Sequence, residues 1–271
     1  MTDGGKPVYS RYGDEVENCG IFGTFSAMIT KYTIFLSTDD QKENLNCICN
    51  EKNKMVFFKK GLLVFIVYSN KNDSTSLLFS QLQFLYIQLL SILTTRFLSR
   101  LEDNPSQCLT AMSGTEVLFE QMINFTQHTP VSLLKSFHII PLKIRAKLMK
   151  LCDANRGKAI MCVILTSTEI ICISHSDAIS ISATDIILLQ NLILSNASLR
   201  LTESWVPLCL PGISPDGYLQ MYCQFSMDKI GVCFVTEKVD PAFFMTMNQQ
   251  YSNISEALIN ENLVDCILTE G

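Results

Sequence analysis

The chain has 271 residues and a formal net charge of −5, from 21 basic and 26 acidic side chains. That balance argues against a protein built to neutralise nucleic-acid phosphates. Hydrophobic residues at 48% against 17% charged exclude a disordered chain, and the length suits two domains of roughly 150 residues.

In chain order, residues 6–12 read as a short strand, and residues 21–36 as a helix with Phe22, Phe25, Met28, Ile29, Tyr32 and Leu36 spaced by three and four. Strands are expected at 45–49, 54–59 and 62–69, the last two joined by a hairpin at Lys60-Gly61. Asp73 and Ser74 are N-cap candidates for a long helix carrying Leu78, Leu82, Leu85, Leu89, Ile92 and Leu93 towards Leu101. Asn104-Pro105 would stop it, and a further helix runs over 115–127. No uninterrupted apolar run exceeds the length of 62–68, far short of a bilayer-spanning segment of ~20 residues, and MTDGGKPVYS lacks a signal-peptide pattern.

A linker at 129–140, just after His128, separates a first domain (1–128) from a second (141–271), which opens with a helix after Pro141. Strands follow at 159–165 and 170–174, then a helix over 186–194 capped by Ser182 or Thr184. Strands at 205–210, 218–225 and 231–236 precede a closing helix from Asp240-Pro241 to about Asn260. Allowing for a weak first strand, both halves read strand, strand, helix, three strands, helix. The economical architecture is α+β: two tandem domains, each a five-stranded antiparallel sheet flanked by helices.

Little in the sequence suggests bond-making chemistry. The eleven cysteines are scattered, with one close pair at Cys47-Ile48-Cys49 and no CxxC, so they read as buried structural thiols rather than zinc ligands. Of the histidines His128, His138 and His175, only His175 has a cysteine near in sequence. Cys172 and His175 are three apart on a strand, however, and point to opposite faces. Gly4-Gly5 lacks the GK[ST] ending of a phosphate-cradling loop. No catalytic residue, metal site or cofactor is expected.

Three surfaces stand out instead. The first helix carries two apolar stripes, Ile21, Phe25, Met28, Tyr32 and Phe35 on one and Phe22, Ile29 and Leu36 on the other. One sheet needs only one stripe, so the second is either covered within the domain or offered to a partner. Trp205 either fills the core or anchors a protein partner. Lys143, Arg145, Lys147 and Lys150, interleaved with Leu142, Ile144, Leu148 and Leu151, form either a solvated helix face or a contact with an anionic membrane.

GGKPVYSRYGDE (4–15) resembles the opening signature of the vacuolar fusion protein Mon-one family. The likeness continues through LLVFIVY (62–68), QLQFLYIQLLSILT (81–94), LTAMSGTEVLF (109–119) and SWVPLCLPGISPDGYL (204–219), in that family's order. The resemblance implies two longin-like domains. In the family, KPVYSRYG is the second strand of a hairpin, so the first domain here is expected to lack its first strand and to leave a sheet edge open beside residues 8–12. The family also continues into a third longin domain, with no counterpart in these residues.

The resemblance further implies one subunit of a heterodimeric guanine nucleotide exchange factor for the late-endosomal Rab GTPase, acting without a chemical step. It implies a longin-domain Ccz subunit as partner, an upstream early-endosomal Rab and an anionic phosphoinositide membrane as further contacts, and a cytoplasmic protein recruited to late-endosome and vacuole membranes. Ile21, Phe22, Phe25, Met28, Ile29 and Trp205 are the candidate partner and GTPase contacts. A longin scaffold of another trafficking complex, without exchange activity, is the alternative.

Overall fold

Residues 54–69 fold back on themselves at Gly61, and this hairpin organises the first half of the chain. The computed structural model describes residues 1–36, 44–100, 112, 114–127, 136–226, 229–237 and 241–269. It divides into two units, Met1–Pro130 and Val131–Gly271. The helix stop expected at Asn104-Pro105, the residues His128 to Pro130 and Asp240 lie outside the described residues.

The first unit contains α1 (Cys19–Leu36), β1 (Cys47–Cys49), β2 (Lys54–Lys60), β3 (Leu63–Ser69), α2 (Thr75–Arg100) and α3 (Glu116–Thr126). The strands form an antiparallel sheet in the order β1-β2-β3. Gly61 takes a φ of 56°, the left-handed geometry that a two-residue hairpin link requires. Successive residues of β2 face opposite ways. Phe57 is therefore buried with Ile29 of α1, Leu45 and Val64, while Val56 is buried with Leu78 and Leu82 of α2.

Ser74 caps α2 by accepting the Leu77 N–H at 3.1 Å. By length and composition α2 could cross a membrane, a property that the short uninterrupted apolar runs do not reveal. Its leucines are used otherwise: Leu89 and Leu93 pack with Leu63, Met112 and Phe119. The helix breaks at Thr94 (φ 61°, ψ 157°), whose Oγ1 accepts the Phe97 N–H at 3.4 Å.

Residues 6–12 correct the sequence reading: they form no strand. Pro7 has no N–H to give a ladder, and among the described residues no strand pairs with the segment. Its side chains turn to the helices instead. Tyr9 stacks on Phe119 of α3, with ring centroids 5.3 Å apart, and Arg11 donates to Asn124 Oδ1 at 2.7 Å. The N-terminus hydrogen-bonds to the sheet at residues 1–3, where Thr2 bridges Leu63 and Met1 and Val64 exchange backbone hydrogen bonds. Among the described residues the first sheet thus has three strands, where five, or four with one missing, were expected.

The second unit contains α4 (Leu142–Asn155), β4 (Met161–Thr166), β5 (Ile170–His175), α5 (Ala183–Ser195), α6 (Ser198–Leu201), β6 (Ser204–Leu208), β7 (Leu219–Ser226), β8 (Ile230–Thr236), α7 (Pro241–Asn260) and α8 (Leu263–Thr269). Its sheet has the expected five antiparallel strands, ordered β5-β4-β8-β7-β6. The central strands β4 and β8 are buried along their whole length, which explains their unbroken apolar sequences. On one face Cys162, Tyr222 and Phe234 pack with Leu148 and Cys152 of α4, Met247, Tyr251 and Ile254 of α7 and Ile267 of α8. On the other face α6 approaches, with Cys223 Sγ 4.0 Å from Leu199 O.

Ser182, not Thr184, is the cap of α5, in a capping box with Asp185. Asp185 also accepts the Gly212 N–H at 3.0 Å, which ties the helix to the loop after β6. Residues 136–140, expected as linker, belong to this unit's structure. Phe137 bridges Ile170, and His138 and Ile140 are buried. The short helices α6 and α8 were not expected; their apolar patterns are too brief to show a period.

Candidate functional site

The sequence candidates on α1 separate by burial. Ile29 is only 7% exposed and sits in the core with Phe57, Val64 and Leu45. Met28 and Tyr32 pack against the same cluster, and Phe25 meets Phe57 edge-on at 6.3 Å. Phe22 is half-buried. Most of both expected stripes is therefore covered by the unit itself. Ile21 remains exposed, and at the far end of the helix Ile34 and Phe35 are 68% and 80% exposed.

Gly20, Gly23, Thr24, Ala27, Thr30 and Lys31 share this outward side with Ile34. At Gly20 and Gly23 an added Cβ would meet nothing within 4 Å. The result is a low, small-residue helix face with large apolar side chains at its ends. The sequence signal for it was the spacing of small residues rather than of large ones, and counting apolar residues alone passes over it.

Gly5 holds the N-terminal segment against the flank of this helix, beside Phe22, Gly23 and Ser26. Its φ is +82°, and a Cβ there would lie 3.1 Å from Gly23 Cα and 3.2 Å from Phe22 O. The Ser26 hydroxyl donates to Asp3 O. Gly5 thus serves close packing.

Trp205 is half-buried against the core of the second unit. Its ring meets Tyr222 edge-on at 5.4 Å and lies tilted against Phe244 at 5.8 Å, so it fills the margin of the core rather than standing out as an anchor. Its indole Nε1 is buried with no acceptor among the described residues.

The basic candidates divide as well. Lys143, Lys147 and Lys150 are exposed, whereas Arg145 is half-buried and donates to His138 O at 3.0 Å. His138 places its two ring nitrogens 2.7 Å from Glu169 Oε2 and 2.8 Å from Ile267 O. It clasps α8 to the β4–β5 turn, a structural task.

The thiols and histidines do not converge. Cys172 is buried while His175 is exposed and faces Ser176 O at 3.0 Å. Hydrogen bonding to Cys152, together with burial, pushes the Cys172 thiol well above its ordinary range. Burial, with Cys223 beside it, does the same to Cys233. The Cys209 thiol is pushed up to about 11 by burial and by Asp185 and Asp216. Raised values disfavour the nucleophilic thiolate. Among the described residues no three His, Cys, Asp or Glu side chains are grouped to hold a metal ion. What this surface offers is shape and apolar contact.

Comparison with known proteins agrees with the two-unit architecture. Residues 1–122 match the family model for the first longin domain of FUZ, MON1 and HPS1, and residues 158–255 match the second. The fold thus defines a tandem longin-domain protein, and the chain belongs to the FUZ, MON1 and HPS1 family. Within that family it is similar to the vacuolar fusion protein MON1 homologue of Oryza sativa subsp. japonica, 26% identical over 97% of the chain and 46% of the relative. The Arabidopsis thaliana homologue is 24% identical over 98% of the chain and 43% of the relative. The Gallus gallus MON1 homologue A is 24% identical over 95% and 47%. The chain spans about half the length of these curated relatives.

Proposed function

We propose that the chain works in vacuolar fusion and endosome maturation as one subunit of a heterodimeric guanine nucleotide exchange factor for the late-endosomal Rab GTPase. Its first longin domain would dock on a longin-domain Ccz partner through the outward face of α1, and the pair would act at late-endosome and vacuole membranes. The observation that carries this reading is the α1 face itself, with Ile34 and Phe35 left bare on a helix whose other side is already buried. Membership of a family whose similar relatives are named vacuolar fusion proteins supports it.

Such a factor makes no bond. It binds the nucleotide-free GTPase more tightly than the loaded form, and by linkage nucleotide weakens its own hold in turn. A surface of shape and apolar contact suffices for this.

The test is release of a fluorescent guanine nucleotide from the GTPase under excess unlabelled nucleotide. The chain with its partner accelerates release, and the chain alone does not. Fast release by the chain alone overturns the shared site. A folded complex without activity favours the scaffold reading.

A further inference from the structure

Two thiols stand apart from the buried set. Cys47 and Cys49, the one close pair in the sequence, lie in β1 at the edge of the first sheet. Cys49 is exposed and Cys47 half-buried. Alternate residues of a strand share a face, and the antiparallel register sets Cys47 opposite Val56 and Cys49 opposite Lys54 of β2. That face looks towards α2, since Cys47 packs against Val56, Leu78 and Leu82. Burial and the neighbouring Cys49 thiol raise the Cys47 thiol above its ordinary value, while a hydrogen bond with the Thr75 side chain and the Lys54 ammonium work the other way. The two thiols also hydrogen-bond to each other. Thr75 is the first residue of α2.

The spacing decides what such a pair can hold. Two residues of extended chain cover about 6.8 Å, whereas a disulfide draws its Cβ atoms to about 4 Å. Cys47 and Cys49 therefore join to each other only by leaving the ladder with β2. A metal ion between them asks for less, because its two sulfurs stay up to about 4.6 Å apart at a zinc-like bond length. Among the described residues no third His, Cys, Asp or Glu side chain completes a larger metal-holding group, which argues against a closed four-coordinate zinc site.

We infer that Cys47 and Cys49 form a two-coordinate site for a soft, thiophilic monovalent cation, Cu(I). Thiolate sulfur is the ligand that selects this ion. Binding replaces the two thiol protons, which pass to solvent, and no electron is transferred. Two thiolates around one monovalent cation leave a single negative charge. The Lys54 ammonium offsets it from across the ladder, held in place by donating to Asp73 O at 2.5 Å. Among the described residues β1 is paired on one side only, so an ion reaches the exposed Cys49 without opening the core. The site owes nothing to the exchange reading, and failure of either leaves the other standing.

The experiment titrates the reduced full chain, without oxygen, against Cu(I) held by the chelator bicinchoninate, with excess glutathione as a competing single thiol. The chain withdraws one Cu(I) from the chelator, and X-ray absorption shows two sulfur neighbours in line. C49S, at an exposed position, and C47S, checked by circular dichroism, each bind roughly a hundredfold more weakly, because the second thiolate of the parent acts intramolecularly. C19S, which removes another exposed thiol, binds like the parent. The inference is overturned if glutathione strips the copper, if the copper has three or more sulfur neighbours, or if C49S binds like the parent. It is equally overturned if C19S loses the metal as C49S does.

Discussion

Gly5 is a residue whose role is set by two constraints at once. A φ of +82° disfavours any side chain, and the α1 backbone leaves a Cβ no room. Gly5→Ala is expected to destabilise the first domain by about 1–3 kcal/mol, seen as a lowered urea midpoint. Gly4→Ala serves as the control, since its Cβ would meet a single atom at 3.9 Å. The buried thiols carry a pH prediction. Cys209, Cys172, Cys233 and Cys152 all have values raised above the ordinary thiol value of 9.0. The unfolded chain therefore loses these protons first. Stability contributed by the neutral thiols is complete below pH ~9 and falls as pH rises beyond it. The midpoint of unfolding under reducing conditions should drop as pH rises from about 9 towards 11, and the drop should shrink in a C209S variant. The sequence made the burial of Cys162, Cys172, Cys209, Cys223 and Cys233 legible, because each lies in an apolar stretch. It could not show the pairing of Cys223 with Cys233 at 3.1 Å, since strand register is not a local property.

Element by element, the sequence places α1 but leaves open which of its apolar residues the core takes. Helical period reports which residues are apolar and aligned, not how many layers cover them. Ile29 lies under the sheet's own side chains; Ile34 and Phe35 do not. Ile29→Asp should therefore unfold the first domain, because a buried unpaired charge costs several kcal/mol. The double change Ile34→Asp/Phe35→Asp should leave its thermal midpoint within a few degrees while abolishing co-purification with the longin partner. A folded double variant that still binds the partner would remove α1's outward face from the interface. Residues 6–12 teach the complementary lesson. Their sequence is compatible with a strand, but a strand exists only where another offers hydrogen bonds. Here Phe119 and Asn124 of α3 offer packing and a side-chain partner instead.

For the whole molecule, the two units repeat one plan unequally. The run β1-β2-β3 has the order of β6-β7-β8. In the second unit β8 gives its far edge to β4 over six residue pairs. In the first, β3 receives a single bridge from Thr2. The sequence by itself determined the class: α+β from the alternation of periods two and three to four, a two-unit organisation, and a likeness to longin proteins that the family matches bear out. It also narrowed the helix caps to Asp73 or Ser74 and to Ser182 or Thr184, because capping needs only neighbouring residues, and the structure selects Ser74 and Ser182. The tertiary structure alone decided which apolar residues are spent on the core and which are left bare. It moved Ile29 inward and Ile34, Phe35, Ile139 and Leu142 outward, and it turned Arg145 from the lysine face to a backbone carbonyl. Burial depends on what packs from distant parts of the chain, and a window of sequence carries no record of those neighbours.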